Sequence, residues 1–358
     1  MTFFHSIFYP TPLALTSHVL FGAALILVSM FITRLMLHRF RIMDDPNARS
    51  SHTNPVPKSG GLAIVVTFLL GVVAIYLFGD KTPISQGYFI GFVLAAMTIA
   101  VVSFYDDINH KSFIVKLGTQ ILAAGVMVAF GVVVDEVALP GVGLVQLGWL
   151  AYPVTLLWIV GLTNSYNFMD GLDGMAAGVA VIVSFFFGVI TLSQGSTFVY
   201  ITCYAVLAGS LGFLFYNFPP ARIFMGDVGS AFLGFIFATL AIIAARYDHS
   251  HTSFFVMPLL LFNFIFDTGF TFFRRLLNRE YVTQAHRTHL YQLCNQLGCS
   301  HRTVSLSYYA MCIVQGLGAI YMLQIIGDQR VLVFIPYLIF QLVFAAIVLK
   351  KSKQAGLL

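Results

Sequence analysis

Charge is what this chain of 358 residues is short of: Asp, Glu, Lys and Arg make up only 9% of it. An ordinary soluble domain carries about 25%, so a solvated globule is excluded. Cysteine is scarce as well, with four residues. Cys203 and Cys312 fall in apolar runs and Cys294 and Cys299 in a polar loop, which gives no disulfide framework. No low-complexity stretch or linker divides the chain, and no internal repeat is visible. Met1–Ser17 has neither a basic leader nor a small-residue cleavage site, so the first apolar run reads as an uncleaved helix. What is abundant is apolar: hydrophobic residues are 59% and mean hydropathy is +0.88.

Runs of about 20 apolar residues, enough to cross a bilayer as helix, recur near 18–37, 60–79, 87–105, 114–134, 148–163, 175–192, 198–218, 229–246, 253–273, 305–326 and 331–349. The expected fold is an all-α polytopic membrane protein, one transmembrane domain over 1–358 with about eleven spans. The run at 148–163 is short and the last pair weakly marked, so ten also fit. One set of loops, with the C-terminal tail, holds Arg34, Arg39, Arg41, Arg49, Lys58, Lys111, Lys116, Arg222, Arg274, Arg275, Arg279, Arg287, Arg302, Lys350, Lys351 and Lys353. The other set holds Lys81, Arg246 and Arg330. Basic residues mark the cytoplasmic side. The N-terminus is therefore expected outside and the C-terminus inside, and the net charge of +5 becomes a cytoplasmic feature, explained by topology or by an anionic substrate.

The acids sharpen this. Asp106, Asp107, Asp170, Asp173, Asp227 and Asp267 all fall at or near the cytoplasmic ends of spans. At the bilayer centre six carboxylates would cost on the order of 15–20 kcal/mol, so they are expected at the interface, gathered round a site. Asp135-Glu136, at the other end, reads as a solvated turn.

Five segments on that side carry chemistry. Asp44 to Gly61 is rich in Pro and Gly and carries Lys58, which faces the head of the next span; its bland reading is an ordinary connector. Asp106-Asp107-Ile-Asn-His110-Lys111, followed by Lys116 and Gln120, pairs carboxylates that repel, which suits a base or a cation site as well as a helix cap. Asn164-Ser-Tyr-Asn167-Phe-Met-Asp170-Gly171-Leu-Asp173-Gly174 repeats polar groups every third residue, and its glycines let backbone approach a ligand. Asn217-Phe-Pro-Pro-Ala-Arg222-Ile-Phe224-Met-Gly226-Asp227-Val-Gly229-Ser230 stops one span and opens the next. A helix N-terminus there favours phosphate, and Asp227 either caps it or holds a cation. Asp267 through Arg274-Arg275 leads to His286-Arg287-Thr-His289-Leu-Tyr291-Gln292, where arginine suits bidentate phosphate contacts. His286, His289, Cys294 and Cys299 are close in sequence, but their spacing fits no standard zinc pattern. His5, His18, His38, His249, His251 and His301 suggest no role.

Taken in order from Asp44 to about Tyr309, the five segments resemble the polyprenyl-phosphate N-acetylhexosamine-1-phosphate transferases, the glycosyltransferase 4 family. A lone Asp-Asp is weak. Asp-Asp, Asn-x-x-Asn-x-x-Asp-Gly-x-Asp-Gly, Gly-Asp-x-Gly-Ser and Asp-(x)6-Arg-Arg in sequence are specific. The resemblance implies a cytoplasmic active-site cleft with a groove for a lipid tail, and Mg2+ as cofactor with Mn2+ as a substitute. It implies transfer of an amino sugar 1-phosphate from a UDP-sugar to undecaprenyl phosphate, releasing UMP. By matching position, Asp227 and Asn167 are the metal ligands. Phe224 stacks on uracil, Gly171 and Asp173 hold its edge, and Asn217 the nucleoside. Lys116 meets the diphosphate and Asp106 and Asp107 are the catalytic pair. His286, Arg287 and His289 contact phosphate and sugar. Lys58, Asp170, Arg274 and Arg275 complete the substrate-binding set.

The chain departs from many relatives, with His289-Leu-Tyr291-Gln292 where they have His-x-His-His, and Arg49-Ser-Ser-His52 where they have Arg-Lys-x-His. It lacks the three consecutive histidines of the peptidoglycan branch. That turns the expectation toward the O-antigen-initiating branch, with GlcNAc, FucNAc or QuiNAc as the sugar, in a bacterial inner membrane. A homodimer is common in the family, and no nucleic-acid partner is expected. The rival class is a transporter, which also uses intramembrane Asp and broken helices, but near the midplane and with repeat symmetry.

Overall fold

The computed structural model describes residues 12–40, 42–44, 46, 55–78, 86–109, 113–247, 251–281, 284, 286–325 and 327–358. Arg41, Arg49, His52, Lys81, His110 and Lys111 lie outside the described residues. Each expected apolar run is helical. The helices are α1 (Pro12–Leu35), α2 (Leu62–Phe78), α3 (Gln86–Asn109), α4 (Phe113–Ala129), α5 (Ala151–Phe168), α6 (Met175–Ser193) and α7 (Phe198–Asn217). They continue as α8 (Asp227–Ile242), α9 (Val256–Leu260), α10 (Phe262–Leu277), α11 (Leu290–Gln296), α12 (His301–Met322) and α13 (Phe334–Gln354).

Seven of them are long and apolar enough to cross a membrane, fewer than the eleven runs suggested. The difference is physical. Among the described residues α2 and α4 supply only shorter apolar stretches, Leu62–Ala74 and Phe113–Ala129. The run at 253–273 is broken at Leu261 into α9 and α10, and α10 carries Asp267, Arg274 and Arg275. α5 ends in Asn164 and Asn167.

Two antiparallel pairs qualify the all-α expectation. β1 (Met43–Asp44) pairs with β2 (Val56–Pro57), with Met43 opposite Pro57. β3 (Glu136–Leu139) and β4 (Gly143–Gln146) form a hairpin at the other end of the bundle. Asp135 and Glu136 are not a merely solvated turn: both ion-pair with Arg246, Asp135 at 2.5 Å. The hairpin is also tied to the last loop, because the Gly141 N–H donates to Asp328 Oδ2 at 2.7 Å.

α8 is the axis of the molecule. It is almost wholly buried, with α5, α3 and α2 packed on it. Lipid tails are as apolar as the side chains, so close backbone approach and interhelical hydrogen bonds must do much of the packing. Both are present. A Cβ on Gly234 would lie 2.8 Å from the Thr163 Cα, so α5 and α8 touch backbone to backbone. Trp158 Nε1 donates to the Ala238 carbonyl at 2.9 Å, and Ser29 Oγ to the Gly209 carbonyl at 2.6 Å. The core includes Phe68, Phe92 and Phe232, packed edge to face. Burying α8 in this way puts its N-terminal residue, Asp227, at the centre of one end of the bundle.

Candidate active site

The Gly226-Asp227 junction is built by three neighbours. Gly226 has φ +73°, and an added Cβ would sit 2.5 Å from Asp107 Oδ2, so only glycine fits the turn. Asp107 accepts from the Asp227 N–H at 3.0 Å, the Val228 N–H at 3.3 Å and Ser59 Oγ at 3.1 Å. It thereby satisfies the free donors at the start of α8. The segment leading into α2 lies alongside: Phe224 N–H donates to the Pro57 carbonyl, and Gly60 and Gly61 N–H to those of Phe224 and Met225. A Cβ on Gly61 would be 2.4 Å from the Gly229 Cα. Lys58, nearly buried, has its ammonium 3.7 Å from Asp44 Oδ1.

On the open side of this junction, Lys116 Nζ lies 2.5 Å from Asp227 Oδ2 and 2.7 Å from Asp106 Oδ2. The adjacent carboxylates therefore divide: Asp106 joins an ammonium and Asp107 caps a helix. Asn167 Nδ2 donates to Asp227 Oδ1 at 3.1 Å and to Ser230 Oγ at 2.9 Å. That leaves the Asn167 carbonyl oxygen as an acceptor beside the carboxylate. One carboxylate and one carboxamide oxygen suit Mg2+, which keeps several waters and takes substrate phosphate oxygens. Among the described residues no group of three His, Cys, Asp or Glu forms a denser metal cluster. The chain's own residues thus fit the expected ion.

The α5–α6 loop runs beside this centre. No side chain among the described residues bonds to the Asp170 carboxyl. Burial pushes its pKa well above the usual carboxylate range, and the charges of Asp227, Asp107 and Asp173 push the same way. Asp173 accepts from the Ala221 N–H at 3.0 Å and faces His301 Nδ1 at 3.1 Å. Gly171 lies under Tyr291, whose hydroxyl would be 2.1 Å from an added Cβ and which donates to the Phe168 carbonyl. Asn217 is buried and engaged at both ends of its amide, accepting from Gly174 N–H and donating to the Ile223 carbonyl. It ties two loops together. The Phe224 ring is half-buried at the edge of the centre.

The third side is the loop before α11. Asp267 Oδ1 accepts from Leu290 N–H at 2.9 Å and faces His289 Nδ1 at 3.3 Å; its Oδ2 accepts from Tyr291 N–H at 3.1 Å and Tyr308 Oη at 2.9 Å. Asp267 is thus an anchor that caps α11 and orients the His289 ring. Arg274 Nη2 donates to the Thr288 carbonyl, and buried Arg275 to the Tyr281 carbonyl, with Glu280 3.4 Å away. Both guanidinium groups brace the loop. The His286 ring packs beside that of His289, tilted by 34°, with ring centroids 4.9 Å apart. Burial, then His289 and the two arginines, lower its pKa to about 4. The Arg287 carbonyl accepts from Gln296 Nε2 at 2.6 Å.

Asp106, Asp107, Lys116, Asn167 and Asp227 are therefore brought together at one end of the bundle, and the α5–α6 and pre-α11 loops flank them. Sequence reasoning missed Ser59, Tyr291, His301, Ser305 and Tyr308. For the last three a signal existed: 301, 305 and 308 share one face of a helix.

This is a multi-pass membrane protein whose polar centre sits at a helix-bundle end, away from the midplane placement of transport sites. A family model described as Glycosyl transferase family 4 matches residues 89–245. The chain is 36% identical over 299 residues to the probable undecaprenyl-phosphate N-acetylglucosaminyl 1-phosphate transferase of Bacillus subtilis (strain 168), covering 82% of this chain and 81% of that protein. It is 30% identical over 331 residues to the decaprenyl-phosphate N-acetylglucosaminephosphotransferase of Mycobacterium leprae (strain TN), covering 84% and 82%. It is 30% identical over 247 residues to the phospho-N-acetylmuramoyl-pentapeptide-transferase of Streptococcus suis (strain 05ZYH33), covering 63% and 70%. The chain belongs to glycosyl transferase family 4.

Proposed function

We propose that the protein transfers an N-acetyl amino sugar 1-phosphate from a UDP-sugar to undecaprenyl phosphate, giving undecaprenyl-diphosphate-sugar and UMP. It works at the cytoplasmic face of a bacterial inner membrane and starts a cell-envelope polysaccharide of the O-antigen type. The observation that carries this reading is the Lys116 ammonium held between Asp106 and Asp227 beside the Asn167 amide. The reaction sets an anionic phosphate against an anionic diphosphate, so its difficulty is electrostatic, and a fixed cation among carboxylates answers it.

Mg2+, held by Asp227 and Asn167, would neutralise charge developing on the donor's phosphates. Lys116 pairs with the diphosphate as substrate displaces one of its carboxylate contacts. Asp106 takes the proton of the lipid phosphate or positions it. A lipid phosphate oxygen then bonds to the sugar-bearing phosphorus while that phosphorus releases the bridging oxygen to UMP, in line and without an acyl phosphate on the protein. One phosphoanhydride replaces another, so the step is reversible. His289, oriented by Asp267, and Arg287 stand on the sugar-phosphate side; Phe224, Gly171 and Asp173 on the uridine side.

The test is a donor panel. Membranes or purified protein receive undecaprenyl phosphate, Mg2+ or Mn2+, and UDP-GlcNAc, UDP-FucNAc, UDP-QuiNAc or UDP-MurNAc-pentapeptide. UMP and lipid product are scored. UMP release with one of the first three, and none with the pentapeptide donor, is the expected result. Activity confined to the pentapeptide donor overturns the branch assignment, and no UMP release with any donor overturns the reaction.

A further inference from the structure

Two loops flank the centre, and the Tyr291 side chain joins them. Tyr291 stands at the head of α11, with its N–H on Asp267 Oδ2 at 3.1 Å and its ring almost wholly buried. The ring runs nearly parallel to that of His289, with centroids 5.9 Å and planes 20° apart. Its hydroxyl crosses to the end of α5 and donates to the Phe168 carbonyl at 2.9 Å. Phe168 directly follows Asn167 and is the last residue of α5; its ring also meets that of His289, with centroids 6.1 Å apart. A helix leaves its last four carbonyls without an intrahelical partner, so the phenol supplies a bond that this terminus needs. On the way it passes over Gly171, where an added Cβ would lie 2.1 Å from Oη and 3.0 Å from Cζ. The missing side chain at 171 makes room for the hydroxyl.

We propose that Tyr291 is a positioning residue that fixes the span between the base side of the donor site and its sugar-phosphate side, and so favours ligands that reach both. The inference rests on the reading of this centre as a UDP-sugar site, with Gly171 at the base and His289 at the sugar phosphate. A UDP-sugar bridges the two loops, whereas UMP ends short of the second. With the loops tied at one separation, the bridging ligand meets a ready-made site. Without the tie it must order one loop against the other, and that ordering lowers its affinity. UMP, held on one side, is spared. Tyr291 touches no reacting atom, so its effect falls on donor binding and not on the chemical step.

The test uses full-length protein in detergent or nanodiscs with Mg2+, undecaprenyl phosphate, UDP-GlcNAc or whichever donor the panel identifies, and UMP as inhibitor. Tyr291→Phe keeps the buried ring and removes the bond. It is expected to raise the donor KM about fivefold, the worth of one hydrogen bond, with kcat and the UMP inhibition constant each within about twofold. Gly171→Ala gives an independent check. Its Cβ collides with the Tyr291 hydroxyl, and in the Tyr291→Phe background that atom is gone. The rise in donor KM caused by Gly171→Ala is therefore expected to be about threefold smaller in that background than in the wild type. An unchanged donor KM in Tyr291→Phe, an equal rise for donor and UMP, a fall in kcat alone, or simple additivity of the two substitutions overturns the proposal. Any of these results with UMP still inhibiting the wild type sinks this inference alone. No UMP inhibition of the wild type sinks the site reading and this inference with it.

Discussion

At the scale of single residues, adjacency in sequence conceals a division of labour. Asp106 meets Lys116, whereas Asp107 is turned into the start of α8, where it accepts from Asp227 and Val228 N–H and from Ser59. Asp106→Asn is expected to lower kcat at least a hundredfold with little change in thermal midpoint. Asp107→Asn keeps an acceptor at the cap and retains much of the fold. Asp107→Ala loses it and costs about 1–2 kcal/mol of stability. Thermal midpoints and kcat on the three variants check this; equal behaviour of Asp106→Asn and Asp107→Asn on both readouts refutes the division. Asp170 makes a second case. Burial and neighbouring carboxylates raise its pKa, so the group is a source of repulsion in the metal-free protein. Asp170→Asn should raise the thermal midpoint in EDTA while reducing turnover, a trade expected where function keeps a strained charge. A lower midpoint in EDTA would show that Asp170 instead stabilises the loop.

At the scale of elements, the site depends on how closely backbones approach. The Gly61–Gly229 contact seats the head of α2 against the head of α8. Gly61→Ala forces these apart, since backbone cannot yield as a side-chain tip does. It should cost about 1–3 kcal/mol and lower activity by displacing Asp227. Unaltered activity in that variant would detach the helix crossing from catalysis. The pre-α11 loop adds a pH dependence. The His286 pKa is lowered to about 4, against about 6.5 in an unfolded chain. Between these values the unfolded state binds a proton that the folded state does not, so stability rises with pH across the window and falls on acidification. The thermal midpoint of wild type should drop between pH 6.5 and 4, and His286→Gln should flatten that slope. Much of this was legible in sequence. The apolar runs marked every long helix but not α11, a short helix between two runs, and the Asp, Asn and Gly motifs marked the residues that meet at Asp227. What stayed hidden depends on long-range packing. Nothing local says that Asp107 reaches a helix 120 residues later, that Arg275 turns to the Tyr281 carbonyl instead of outward, or that His301 faces Asp173. The β3–β4 hairpin escaped because its strands are only four residues each, too short for a period-two pattern to stand out among apolar runs.

At the scale of the whole molecule, the two ends of the bundle differ in chemistry, and that difference sets an orientation. The end with α8's head gathers the carboxylates, Lys116 and the basic loops. The opposite end is closed by the hairpin, where Asp135 and Glu136 pair with Arg246, one of only three basic residues assigned to that side. That pairing holds Arg246 to the hairpin, and the asymmetry that orients the protein lies in how few Lys and Arg this side carries. Cys299 is exposed at the site end, and Gly141 is exposed in the hairpin turn with no atom near an added Cβ. With a membrane-impermeant maleimide, native Cys299 should be labelled only after permeabilisation or in inside-out vesicles. In a background with Cys299→Ser, Gly141→Cys should be labelled in intact cells. Reversal of the two patterns would invert the topology. It would also place the phosphate-handling centre on the side without cytoplasmic nucleotide sugars, where the proposed donor cannot reach it.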